Sequence, residues 1–173
     1  MQIRVLFSLV ILVFLIGCAS GGTTTPLQAV SAPLSSAYNT VLVEVTSTLP
    51  DSDADARALE NEIITELRKD SRLTQVLSGT GSPTAAADLK LKADIVEMRK
   101  VSTGKRMMLG GLAGRGSVKV NAELLDGRNG TKLGAFTSEG KTSGGTVFAG
   151  TTEQALQRAA EQIAGFVTQN MGN

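Results

Sequence analysis

The chain has no histidine and no tryptophan, one cysteine, and aromatic residues at only 3% of its 173 positions. Each scarcity excludes something. Without histidine there is no imidazole acid–base catalysis and no histidine-ligated metal. One cysteine allows neither an internal disulfide framework nor a thiolate cluster. So few rings leave almost no material for stacking nucleic-acid bases or caging a cationic ligand. Net charge is scarce as well, with 17 Lys and Arg against 16 Asp and Glu, which argues against a nucleic-acid partner. The length suits one domain able to bury its own core.

The first eighteen residues carry the strongest signal. Met1-Gln2-Ile3-Arg4 is a short positive start, Val5 to Ile16 is apolar apart from Ser8, and Leu15-Ile16-Gly17-Cys18 closes the run. An apolar stretch of about a dozen residues behind one Arg is a signal-peptide core, too short for a comfortable bilayer span. Gly17 before the sole cysteine resembles the lipobox of bacterial lipoproteins. Residues 1–17 are therefore expected to be cleaved as a lipoprotein signal peptide, leaving Cys18 as the acylated first residue. The plainer alternatives are an ordinary cleaved signal with an incidental cysteine, or an uncleaved anchor. Loss of Arg4 leaves equal numbers of acidic and basic side chains. Ala19, not Asp, follows the cysteine, which in enterobacterial-type sorting implies the outer membrane, facing the periplasm. Residues 18–37 lack charge and are rich in Gly, Ser, Thr and Pro. They read as a flexible tether spanning on the order of 25 Å, ahead of a periplasmic domain over 38–170.

Within that domain Val41, Val43 and Val45 alternate as a strand should. Ala56, Leu59, Ile63 and Leu67 follow at helical spacing, with Asp51, Asp53 and Asp55 before the helix dipole's positive end and Arg68-Lys69 at its negative end. Residues 72–78 form a short strand. Leu89, Leu91, Ala93 and Ile95 alternate with polar residues until the phase slips at Ile95-Val96, where a bulge is expected. Val118, Val120, Ala122 and Leu124 make the next strand, Asp126-Gly127-Arg128-Asn129-Gly130 a turn, and 131–142 a glycine-bearing strand. Thr151 or Thr152 caps a last helix whose apolar face carries Ala155, Leu156, Ala159, Ile163, Phe166 and Val167. The order β-α-β-β-β-β-α gives a single α/β (α+β) domain, with a mixed, mostly antiparallel sheet of about five strands packed against two helices.

The Val-rich opening strand, Arg68-Lys69-Asp70-Ser71-Arg72, Ala87-Asp88-Leu89-Lys90-Leu91 and Leu124-Leu125-Asp126-Gly127 resemble an uncharacterised bacterial lipoprotein family, domain of unknown function 4410. So do the Gly-rich turn before Ser117-Val118-Lys119-Val120 and the Gly-Gly loop before the last helix. More distantly the layout is similar to the periplasmic α/β domains of the curli-secretion lipoprotein and of lipoprotein activators of penicillin-binding proteins. The resemblance implies an envelope protein that binds or assembles, and it supplies no catalytic residues.

Three constellations suggest chemistry. Asp51-x-Asp53-x-Asp55 with Glu62 matches four positions of a calcium loop, but Ala56 stands where that loop needs Gly and the helical repeat runs through the segment. No metal is expected. Gly110-Gly111-Leu112-Ala113-Gly114-Arg115-Gly116 precedes a strand where a dinucleotide fingerprint precedes a helix, and it lacks the Gly-Lys-Ser/Thr ending of a phosphate loop. No cofactor is expected. Residues 90–119 hold eight Lys and Arg against Asp94 and Glu97. There Lys105, Arg106, Met107, Met108, Leu109 and Arg115 form the candidate contact for a partner or membrane, since cations beside flexible apolar side chains suit an anionic surface or an adaptable groove. The plainer reading is that 107–112 folds back as core. Hydroxyls without a histidine base, and carboxylates on solvated strand faces, argue against an enzyme. The expectation is a lipid-anchored, non-enzymatic binding or assembly component of the cell envelope. It is held to the membrane at Cys18, with an envelope protein partner or self-association and no nucleic acid. The alternative is an oligomeric subunit of an export or surface-structure apparatus; a hydrolase ranks below both.

Overall fold

The structure, a computed structural model, describes residues 22–30, 34, 38–80, 86–102, 104, 108–109, 114–142 and 150–171. Its elements are β1 (Thr23–Gln28), β2 (Thr40–Ser47), α1 (Asp53–Leu67), β3 (Gln75–Ser78), β4 (Leu89–Arg99), β5 (Ser117–Asp126), β6 (Lys132–Lys141) and α2 (Thr152–Asn170). The strands form one six-stranded sheet in the order β1-β6-β5-β4-β2-β3. β2 is parallel to both β3 and β4, and the remaining neighbours are antiparallel. The parallel pair β2/β3 needs a crossover, which α1 supplies.

Alternation decides which sheet face is covered. Val41, Val43, Leu89, Leu91, Ala93, Ile95, Val118, Val120, Ala122, Leu124 and Phe136 join one core with Leu59, Ile63 and Leu67 of α1 and Ala159, Ile163 and Val167 of α2. The phase slip at Ile95-Val96 is a bulge, because the β4/β5 register shifts between Ile95 and Glu97. It turns Met98 back onto the core, where it packs half-buried. Of the two glycines in β6, Gly140 is a packing requirement. A Cβ on Gly140 would lie 2.1 Å from the Ala155 carbonyl oxygen of α2, so only glycine lets the helix backbone approach this closely. Thr151 caps α2 as expected, its side chain accepting from the Gln154 N–H.

One boundary is corrected. Thr23–Gln28, inside the stretch read as tether, is an edge strand with Thr23 opposite Glu139 and Pro26 opposite Phe136. Proline is tolerated on an edge strand, and among the described residues no strand pairs with the outer side of β1. Leu34 is buried as well, bridging to Met171 beside α2. The ordered domain thus starts upstream of Tyr38. Among the described residues no helix is long and apolar enough to cross a membrane.

Candidate functional site

The candidate contact lies on the connection between β4 and β5, and both of its ends are fixed to the core. Arg99, the last residue of β4, pairs with Ser117, which pairs in turn with Lys141 at the end of β6. Val101 is 1% exposed. Its N–H donates to Thr152 Oγ1 at 2.8 Å, and its carbonyl accepts from the Thr152 N–H at 3.1 Å. At the returning end Gly116 donates to the Gly150 carbonyl and accepts from Thr142, through both its N–H and its hydroxyl. A Cβ on Gly116 would stand 2.7 Å from the Thr151 carbonyl oxygen; glycine is what lets this strand pass beneath the start of α2. The base of the connection is built core.

Between the roots Met108 is 87% exposed and Leu109 48%. Met108 and Leu109 stand outside the core cluster. Arg115 is exposed, and the exposed Arg99 guanidinium lies over Gly114. Lys105, Arg106, Met107 and also Cys18 lie outside the described residues. The charge of the region is lower than its sequence count suggests, because Asp55 and Glu44 of neighbouring elements supply carboxylates the count does not include. Lys100 pairs with Asp55 of α1 at 2.7 Å, Lys119 with Glu97 at 3.3 Å, and Lys92 with Glu44 at 3.6 Å. Arg99 and Arg115 pair with no described carboxylate.

Three further polar regions were not legible as sites. On the sheet face away from the helices Glu44, Thr46, Lys92, Asp94, Asn121 and Glu123 line a shallow depression of about 350 Å³. Glu44 stands opposite Lys92 and Lys92 opposite Glu123, while Asp94 stands opposite Thr46, whose hydroxyl donates to it, and Asn121. At the far end of the sheet Tyr38 donates to Asp126 Oδ2 at 2.8 Å and Arg128 reaches Asp88 Oδ1 at 3.3 Å. The tyrosine bond is the main reason the Asp126 carboxyl is held below the usual carboxylate range, and the same bond raises the Tyr38 phenol. Buried Glu60 accepts from the hydroxyls of Ser78 and Thr80 and from the Thr80 N–H, tying β3 to α1. Among the described residues no three of His, Cys, Asp and Glu gather as a metal site would require.

The family model for a domain of unknown function (DUF4410) matches residues 25–146. No curated protein matches the chain. Among solved structures, a PelC dodecamer from Paraburkholderia phytofirmans is similar at 21% identity and a TM-score of 0.57, over 84% of this chain and 96% of that one. Protein XCC0632 from Xanthomonas campestris is similar at 13% identity and a TM-score of 0.50, over 81% of this chain and 85% of that one. At these identities the shared property is the fold.

Proposed function

This chain belongs to the DUF4410 family, and on that premise we propose that it is a lipid-anchored, non-enzymatic assembly component of the bacterial cell envelope. Acylated Cys18 holds it to the outer membrane, facing the periplasm. It works as a repeated subunit of an export or surface-structure apparatus. The observation that carries this reading is the fold it has in common with a chain whose structure is a PelC dodecamer, aligned over nearly the whole of both domains. The lipobox-like Leu15-Ile16-Gly17-Cys18 supports the envelope location. Among the described residues both sheet edges, β1 and β3, have one unpaired side, as a subunit that extends its contacts to a neighbour can use. On the sheet face away from the helices Glu44 and Glu123 are paired with Lys92 and Lys132, which suits a contact surface better than general acid–base work.

The reading is tested by the mass of the mature protein, extracted from membranes in mild detergent, by light scattering after size exclusion. A closed multimer of defined size supports it. A monomer at all concentrations removes the assembly role and leaves a binding module that acts alone.

A further inference from the structure

The topology places the start of β1, five residues after Cys18 in the sequence, at the end of the sheet from which the connection carrying the exposed Met108-Leu109 pair leaves. β1 begins at Thr23 opposite Glu139, and β6 ends two residues later at Lys141, opposite Ser117 and hence beside Arg99. The connection carrying Met108 and Leu109 leaves and returns here. β1 and β4 are three strand spacings apart in the sheet, about 14 Å. Cys18 precedes Thr23 by five residues, which even when fully extended span no more than about 17 Å. Because β1 is built into the sheet, the slack of a long tether is gone.

Resting on the anchor reading above, we propose that Met108 and Leu109 insert into the bilayer that holds the Cys18 lipid, with Arg99 and Arg115 at the level of its phosphate headgroups. The domain then stands on the membrane with the β4–β5 connection downward. Burying two apolar side chains is favourable by the area they remove from water, and the arginines find counter-charges on anionic lipid. Arg99 projects from the face opposite the core-packed Met98. Asp51, Asp53 and Glu153 also lie at this end, in the first turns of the two helices or just ahead of them. On the sheet side Glu97 and Glu139 are paired with Lys119 and Lys141, and Arg99 and Arg115 pair with no described carboxylate. Among the described residues the third exposed large apolar side chain, Leu27, is 65% exposed and sits at the far end of β1.

The chain has no tryptophan, so a single introduced one reports its own surroundings. Full-length acylated Met108→Trp and Leu27→Trp are reconstituted into phosphatidylethanolamine/phosphatidylglycerol vesicles whose acyl chains carry bromine. Flotation reports the anchor, and emission reports the side chain. The proposal predicts blue-shifted, bromine-quenched emission from Met108→Trp and water-like, unquenched emission from Leu27→Trp, with both proteins floating. Leu109→Trp gives the same answer if Met108→Trp does not fold. Floating protein with water-like emission at 108 overturns the insertion while the anchor stands. Blue-shifted emission without quenching also overturns it, because protein, not lipid, then covers the pair. Failure to float overturns the Cys18 anchor, and the insertion with it.

Discussion

Asp55 Oδ2 lies 2.7 Å from Lys100 Nζ, and the same ammonium donates to the Asp51 carbonyl at 3.0 Å. The contact joins the acidic triplet that imitates a calcium loop to the basic segment that imitates an open cationic patch. Each feature answers part of the other. The pair fastens the root of the β4–β5 connection to the first turn of α1, where negative side chains also suit the helix dipole.

An exposed pair of this kind is worth about 0.2–1 kcal/mol. A double-mutant cycle on Asp55→Ala and Lys100→Ala should give a coupling in that range, weakening with salt. Calcium is expected to leave the melting temperature unchanged, and Glu62→Ala to cost little. A calcium-dependent rise that Glu62→Ala removes would show that the triplet binds the ion.

The core sets the larger costs. Leu59 and Ile63 are fully buried beneath the sheet, so Leu59→Ala or Ile63→Ala should each cost about 2–5 kcal/mol in denaturant titration. Gly140→Ala works in the opposite direction, by overfilling. Its Cβ would meet backbone atoms of both Ala155 and Ala159, and α2 must shift, at about 1–3 kcal/mol. A neutral Gly140→Ala would mean that α2 does not pack on β6 this closely.

Most of this architecture is legible in the sequence because it is periodic. Leu89, Leu91, Ala93 and Ile95 state their strand, and the slipped phase at Val96 states the bulge. β1 is not legible, since Thr-Thr-Thr-Pro-Leu-Gln has no alternating apolar face and is strand only because β6 offers its backbone. Glu60 reads as a solvated helical position, and its burial depends on Ser78 and Thr80, which no local pattern connects to it. The candidate site shows the same limit. Its cations can be counted in the sequence, but their partners Asp55 and Glu44 come from distant elements.

Arg72 holds the C-terminal end of α2. It donates to the Thr168 and Met171 carbonyls at 2.8 and 2.9 Å while Asp70 accepts from it, satisfying orphan carbonyls of the last turn. Arg72→Met should speed hydrogen exchange in the last turn of α2 and leave the first turn, capped by Thr151, unchanged. Equal exchange in the two proteins would contradict this role.

Stability should fall at both pH extremes. The Arg72 side chain holds Asp70, and the Tyr38 hydroxyl holds Asp126, below the ordinary carboxylate value of 3.8. Groups lowered on folding contribute fully above that value and lose their contribution as the pH falls through the folded value. Tyr38 is raised above its ordinary 10.0, chiefly by its bond to Asp126, so its contribution is complete below pH 10.0 and is lost as the pH rises through the folded value. In melting curves against pH, Tyr38→Phe should remove the alkaline component and shrink the acid one. Superimposable profiles would contradict the coupling.

The central claim is the lipid anchor, and fractionation of cells expressing wild-type or Cys18→Ser protein tests it most directly. Wild type should partition with the outer membrane and have the mass of a chain cleaved before Cys18 and acylated on it. Cys18→Ser should persist as the longer, unacylated precursor. The same mature mass and membrane partitioning in both proteins would contradict the account.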